Sequence, residues 1–243
     1  PAPLDLDAGL RRLGFEAFRP GQREAIETLL EAGRLLLVAP TGGGKSLAYQ
    51  APIVASQLED AGATALALFP TKALAYDQAE GFAWLAHAAG LQAGTVASYD
   101  GDTPTSQRPG IRAGVRTLLT NPDMLHAGVL PHHTLWRRWL AGLRWIVVDE
   151  LHVYRGIFGG HLAGVLRRLL RIAAHYGAAP RVIATSATLG NPVEHARRVL
   201  GREVTLIDVD TAPKAEREVL LIRPPLLDEE LGLHQWTLSN GVR

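Results

Sequence analysis

The sequence of 243 residues predicts an α/β domain, a mainly parallel sheet flanked by helices on both faces. Three observations carry that expectation. Apolar runs of strand length recur along the chain, stretches with helical spacing follow them, and the junctions are built from Gly, Pro, Thr, Ser and Asn. Hydrophobic residues make up 47% of the chain, enough for one good-sized core, whereas two full domains would be cramped in this length.

Charge and cysteine content narrow the function classes. A formal net charge of +1 is too mild to argue for nucleic acid, so any case for that ligand must come from placed residues. Zero cysteines exclude disulfides and cysteine-ligated zinc within this sequence, and a cytoplasmic location is expected. The apolar runs fall far short of the roughly 20 residues that a spanning helix needs, so no membrane association is expected. The chain starts at Pro1 rather than methionine and is expected to be a piece of something longer. Lysine occurs only at Lys45, Lys72 and Lys214, two of them in candidate phosphate contacts, where a compact ammonium suits a point contact.

Taken in order, residues 1–12 are a lead-in, and Leu4 to Phe18 reads as a short helix and loop. A helix follows from Arg23 to Leu30, with Pro20 suited to its start and Gln22 at its beginning. Gln22 is either an ordinary first-turn residue or an amide that pairs with adenine. Leu35 to Val38 is a buried strand, and Ala39-Pro40-Thr41-Gly42-Gly43-Gly44-Lys45-Ser46 is the glycine-rich turn that opens the next helix. Three consecutive glycines let backbone N–H groups curl around an anion, Lys45 can reach the outer phosphates, and the Ser46 hydroxyl is placed to hold Mg²⁺.

The same device recurs downstream. A helix runs from Lys45 to about Leu58. The strand Thr64–Phe69 then meets Pro70-Thr71-Lys72, Arg116–Thr120 meets Asn121-Pro122-Asp123, and Arg181–Thr185 meets Ser186-Ala187-Thr188. Each cap serves either as plain capping or as an anion site, and their succession along one sheet edge suits a ligand with a row of phosphates. The run Trp145–Val148 ends in Asp149-Glu150-Leu151-His152, which brings two carboxylates to that edge: Asp149 for Mg²⁺ and Glu150 as the base for an attacking water, with His152 nearby. The spacing from Lys45 to Asp149 leaves room for two strand-helix units.

Three further features have plainer readings. Trp136 and Trp139 share a helix face and read as core, with base stacking the alternative, while Arg137 and Arg138 point elsewhere. The helix from His161 to Tyr176 carries Arg167, Arg168 and Arg171 off its apolar stripe as a solvated face. His126, His132 and His133 have the composition of a zinc site but lack cysteines and a defined spacing.

The stretches Phe18-Arg19-Pro20-Gly21-Gln22, Ala39 to Ser46, Pro70 to Gln78, Thr120 to Asp123, Asp149 to His152 and Ser186-Ala187-Thr188 resemble the ordered motifs of superfamily 2 helicases. Tyr99-Asp100-Gly101-Asp102-Thr103-Pro104, Asn121 to His126 and Leu130 to His133 are similar to the bacterial mitomycin repair factor A helicases and their Hrq-type, RecQ-like relatives. The resemblance implies the first RecA-like P-loop NTPase domain of a 3′-to-5′ DNA helicase, over residues 13–223, with 224–243 leading toward a second domain.

It implies ATP and Mg²⁺ as cofactors and single-stranded or partly duplex DNA as partner. Phe18, Arg19 and Gln22 would contact adenine, Thr41 to Ser46 the phosphates, and Ser46 with Asp149 the metal, with Lys45, Asp149, Glu150 and His152 catalytic. Thr71, Lys72, Thr120 and Asp123 would grip or support the nucleic-acid backbone, and Ser186 with Thr188 would couple the two sites. A second RecA-like domain supplying arginine fingers, and a zinc-binding module, would lie elsewhere in the parent chain. A role in DNA repair follows from the same resemblance. The alternatives are a nucleotide-binding module inactive alone, an unrelated P-loop NTPase, and an RNA helicase of the superfamily.

Overall fold

The computed structural model describes residues 6–12, 16–18, 21–32, 34–39, 45–187, 189–208, 226–228 and 233–234. The chain divides into two compact units, Pro1–Ala212 and Pro213–Arg243. Of the second, an antiparallel pair is described, with Leu226 opposite His234 and Asp228 opposite Leu233.

In the first unit α1 (Leu6–Arg12) and α2 (Gln22–Ala32) precede β1 (Arg34–Val38). There follow α3 (Lys45–Glu59), β2 (Thr64–Leu68), α4 (Lys72–Ala88), β3 (Val96–Ser98), α5 (Arg108–Gly114) and β4 (Thr117–Thr120). The short α6 (Pro122–Met124) runs through π and 3₁₀ turns into α7 (Arg137–Ala141), β5 (Leu143–Val148), α8 (Gly156–His175), β6 (Arg181–Ser186), α9 (Pro192–Leu200) and β7 (Thr205–Asp208). The strand order is β3-β4-β2-β5-β6-β1-β7, and every pairing is parallel.

The period of two along each strand sorts the core into two layers. Leu35, Leu37, Ala65 and Ala67 pack with Ala25 and Leu29 of α2, Ile53 of α3 and Phe82 of α4. Leu36, Val38, Leu66 and Leu68 face the other way, onto Leu140 of α7, Leu162 and Leu166 of α8 and Leu200 of α9. The strands are buried on both faces, which is why they read as continuous apolar runs rather than alternating ones. Parallel strands also place all their carboxyl ends on one edge, so the residues after β1, β2, β4, β5 and β6 converge there.

Several details differ from the sequence expectations. Three strands, not two, lie between Lys45 and Asp149, because β3 is a three-residue, half-buried edge strand without an apolar run. β7 is mostly exposed and equally faint in sequence. The eighth helix starts at Gly156 rather than His161. Gly159 and Gly160 weaken helix propensity, but a Cβ at Gly159 would sit 2.4 Å from the Tyr154 carbonyl, so close packing requires glycine there. Trp136 and Trp139 are 1% and 3% exposed and meet edge to face at 5.8 Å, which makes them core. His133 Nδ1 bonds Tyr176 Oη and His126 Nδ1 bonds Arg168, and no cluster of metal-ligating side chains occurs among the described residues. No helix among them is long and apolar enough to cross a membrane.

Candidate active site

At the carboxyl edge of β1, β5 and β6 three charged side chains meet. Lys45 opens α3 and is only 9% exposed, its Nζ 3.6 Å from Glu150 Oε2. Its place in the first turn of α3 suggests a surface side chain, but the structure buries it. Its ammonium has no hydrogen-bond partner among the described residues. Asp149 is 6% exposed, accepts a short hydrogen bond from Thr185 of β6, and donates its backbone N–H to Leu68 O at 2.9 Å. Burial raises the Asp149 carboxyl above the usual carboxylate range and the charge of Glu150 adds to this, while the Thr185 hydroxyl and Lys45 work against them.

Glu150 is the one described non-glycine residue with positive φ, at φ 52° and ψ 47°. That turn lets Asp149 and Glu150 serve one pocket instead of alternating sides as they would along an extended strand. His152 Nδ1 lies 3.1 Å from Glu150 Oε2 but accepts the Ala187 N–H at 3.2 Å. A ring nitrogen that accepts has no proton to donate, so the contact with Glu150 is not a hydrogen bond and Oε2 is left without one. The same Ala187 contact ties the loop after β5 to the loop after β6.

Ser46 donates its hydroxyl to Gln78 Oε1 of α4 at 2.9 Å, and Tyr49 Oη donates to the same oxygen at 3.4 Å. Burial pushes the Tyr49 phenol far up, so it stays a neutral donor. Neither Gln78, Thr185 nor Tyr49 was singled out from sequence. Gln22 is 6% exposed at the first position of α2, and Phe18 is half-buried with the Arg23 guanidinium 5.3 Å from its ring centre. Arg19, Thr41, Gly42, Gly43, Gly44 and Thr188 lie outside the described residues.

Farther along the edge, Thr71 caps α4 by accepting the Leu74 N–H at 3.3 Å, and Asn121 caps α6 by accepting that of Met124 at 2.8 Å. Lys72 is exposed and paired with Asp102 at 2.8 Å. Asp102 stands in a turn held by Asp100, whose Oδ1 accepts the N–H groups of Asp102 and Thr103. Thr120 is buried and donates to Tyr99 O, so its hydroxyl supports the edge from beneath. Asp123 is 82% exposed at the side chain, 3.3 Å from His161 Nε2. Ser186 is not a helix cap: it ends β6, is fully buried, and donates to the Ala187 carbonyl, and α9 begins later, at Pro192. Asn191, which precedes it, makes no side-chain cap.

The donor set fits a polyphosphate with a divalent cation. A buried ammonium without a hydrogen bond suits an anion, and a carboxylate disfavoured by burial suits a cation beside it. The profile of the DEAD/DEAH box helicases matches residues 19–196. The chain is 38% identical over 239 residues to the ATP-dependent helicase YprA of Bacillus subtilis (strain 168), covering 97% of this chain and 32% of that protein. It is 40% identical over 232 residues to the ATP-dependent helicase HRQ1 of Saccharomyces cerevisiae, covering 94% and 21%. Crystal structures of the DUF1998 helicase MrfA superpose with TM-scores of 0.89 when bound to DNA and 0.82 when bound to DNA and AMPPNP. They share 38% and 40% identity and cover 97% and 88% of this chain but 32% and 30% of MrfA. The chain thus spans a third or less of the length of these relatives.

Proposed function

Because the chain belongs to the DEAD/DEAH box helicase family and is similar to MrfA and Hrq1, we propose that it is the ATP-binding half of a DNA helicase motor. In this reading residues 13–223 form the first RecA-like domain, and 224–243 lead toward a second that completes the hydrolytic site. The parent protein is a 3′-to-5′ translocase on single-stranded DNA acting in DNA repair, and a zinc-binding module accompanies it.

One observation carries the ATPase assignment. Lys45 Nζ and Glu150 Oε2 are opposite charges 3.6 Å apart, both shielded from solvent and both without a hydrogen bond. At that separation they attract each other without a direct hydrogen bond. Held apart, they leave the ammonium for the outer phosphates and the carboxylate for the proton of an attacking water. Mg²⁺ held by Ser46 and Asp149 would neutralise charge developing on the phosphate oxygens. Gln22 reads adenine from the start of α2, Phe18 and Arg19 share that role, and residues 41–44 cradle the phosphates. His152, through Ala187, links the base to the Ser186-Ala187-Thr188 segment, and so to the DNA side.

Gln78 positions the metal ligand. The Ser46 hydroxyl spends its one proton on Gln78, which turns its lone pairs away from α4 and frees them for a cation. Gln78→Ala is expected to raise the Mg²⁺ concentration needed for ATP binding about fivefold, the worth of one hydrogen bond of ~1 kcal/mol, and to leave metal-free binding unchanged. Titrating Mg²⁺ against a fluorescent ATP analogue measures this. An unchanged Mg²⁺ requirement would show that Gln78 only packs.

DNA is held by its backbone in this reading. Thr71, Lys72 and Asp123 stand on the edge, Thr120 supports it, and Asp102 occupies Lys72 until a phosphate displaces it. Thr71 and Lys72 reach phosphates while Thr120 and Asp123 support the edge, so binding is nearly indifferent to base sequence. In the full-length protein, Lys72→Ala is expected to weaken single-stranded DNA binding uniformly across sequences and to lower the slope of log K against log salt by about one unit. ATPase rates against DNA and RNA oligonucleotides at two salt concentrations test the whole proposal. Equal or greater stimulation by RNA overturns the DNA assignment, and stimulation by neither overturns the helicase reading.

A further inference from the structure

The turn that carries Glu150 holds a backbone conformation that a residue with a side chain seldom adopts, φ 52° and ψ 47°. Such a backbone persists only where its surroundings hold it. Within the turn, the Val153 N–H donates to Glu150 O at 2.9 Å and the Tyr154 N–H to Leu151 O at 3.1 Å. These bonds close the short 3₁₀ turn but tie it to nothing beyond itself. Among the described residues, two hydrogen bonds reach residues 150–153 from outside, and both come from the segment between the end of β6 and the first turn of α9. The Ala187 N–H donates to His152 Nδ1 at 3.2 Å, and His195 Nε2 lies 3.0 Å from Leu151 O.

The His195 bond acts on the backbone directly after Glu150. A carbonyl oxygen only accepts, so Nε2 carries the proton and donates. Leu151 is fully buried, and its carbonyl already accepts from Tyr154, so His195 is not needed to satisfy it. What the second donor adds is position. The grip comes from an anchored helix: Ala196, Val199 and Leu200 of α9 are buried in the same core layer as Leu151, Tyr154 and Leu162. The His195 backbone is fixed as well, its N–H donating to Asn191 O at 3.1 Å in the first turn of α9.

We propose that His195 is a positioning residue for Glu150: from α9 it pins the Leu151 carbonyl, keeps the left-handed turn in place, and so holds the carboxylate aimed at the attacking water. The proposal rests on the reading of Glu150 as the base and adds to it a side chain from a different element. The groups assigned to the cation are held by other means. Asp149 donates its N–H to Leu68 O and accepts from Thr185, and Ser46 is oriented by Gln78. Loss of the His195 bond is therefore felt in the chemical step, where a small misplacement of the base matters, and not in the binding of ATP or its cation.

The test uses the full-length protein with saturating single-stranded DNA, reading single-turnover ATP hydrolysis beside equilibrium ATP binding. His195→Phe keeps a ring of similar size without the donor. It is expected to slow hydrolysis about five- to tenfold, the effect of one hydrogen bond, with ATP affinity within about twofold of the parent. His195→Gln, which can offer an amide N–H, is expected to recover most of the rate. In Glu150→Gln there is no base to aim, so adding His195→Phe is expected to slow it no further, whereas a general loosening of the fold would slow both backgrounds alike. A thermal melt checks folding, and His195→Ala takes the place of the phenylalanine variant if that one unfolds. Parental turnover in the folded variant, equal losses of affinity and turnover, no recovery with glutamine, or an additive loss in the double variant would overturn the proposal. Parental turnover in Glu150→Gln alone would instead overturn the assignment of the base.

Discussion

Replacing Lys45 with alanine in the full-length protein is expected to weaken ATP binding by about 100-fold or more and to take hydrolysis below detection, while the domain stays folded. The size follows from a buried charge-assisted contact to phosphate, worth ~3 kcal/mol where water is excluded. A second effect acts in the same direction. Lys45 lowers the Asp149 pKa, so its loss makes that carboxylate harder to ionise and a poorer cation ligand. Stability is a balance of opposites. Alanine removes the burden of an ammonium at 9% exposure without hydrogen bonds, but also its attraction to Glu150 at 3.6 Å. A melting temperature within a few degrees of the parent is therefore expected. Nucleotide titration and a thermal melt together decide the matter, because an unfolded variant, or a folded one with parental turnover, contradicts the assignment.

Glu150→Gln is expected to divide binding from chemistry. Glutamine keeps the side chain's length and shape but cannot take a proton, and a positioned general base contributes about 10²–10⁴ in rate. ATP affinity should stay within about threefold. Glu150 raises the pKa of Asp149, so the neutral amide eases ionisation of Asp149 and spares the cation site. Single-turnover hydrolysis beside equilibrium binding reads both quantities. Loss of binding along with turnover would mean that Glu150 holds the ligand rather than the water.

What the sequence revealed and what it hid follow from one physical distinction. Residues whose placement depends on neighbours in the chain were legible: Lys45 and Ser46 at the start of the helix after a buried strand, Asp149 and Glu150 at the end of another, and the caps Thr71 and Asn121. Residues whose role depends on packing between elements were not. Gln78 sits within α4, where a glutamine reads as solvated surface, and only the placement of α4 beside α3 brings it to Ser46. Thr185 looks like one more β-branched strand residue until β5 and β6 pair and set it against Asp149. Ser186 misled in the opposite way, since a serine before Ala-Thr resembles a cap but is the last, fully buried residue of β6. The burial of Lys45 was hidden for the same reason, because local sequence does not say what closes over a side chain. Trp139 was rightly assigned to the core, yet its unpaired indole N–H becomes visible only when every acceptor around it is known.

The position of β1 governs how the domain can be made. It is the first strand in the chain, yet its two neighbours are β6 and β7, near the end of the unit, with Arg34 paired to Val182 and Leu35 to Thr205. At a synthesis rate of about 5–20 residues per second, β1 waits roughly 7–30 s for its first partner to be polymerised. During that interval β2, β3, β4 and β5 can assemble among themselves, since their pairings close within the middle of the chain. The Leu35–Val38 run has no such option and presents apolar residues and unpaired backbone on both sides. Inserting it last also means that Lys45 reaches Glu150 only when the final strands arrive. A nascent chain therefore brings these two charges together at the end of folding, not at the beginning, and an incomplete one has an adhesive strand in place of that pair.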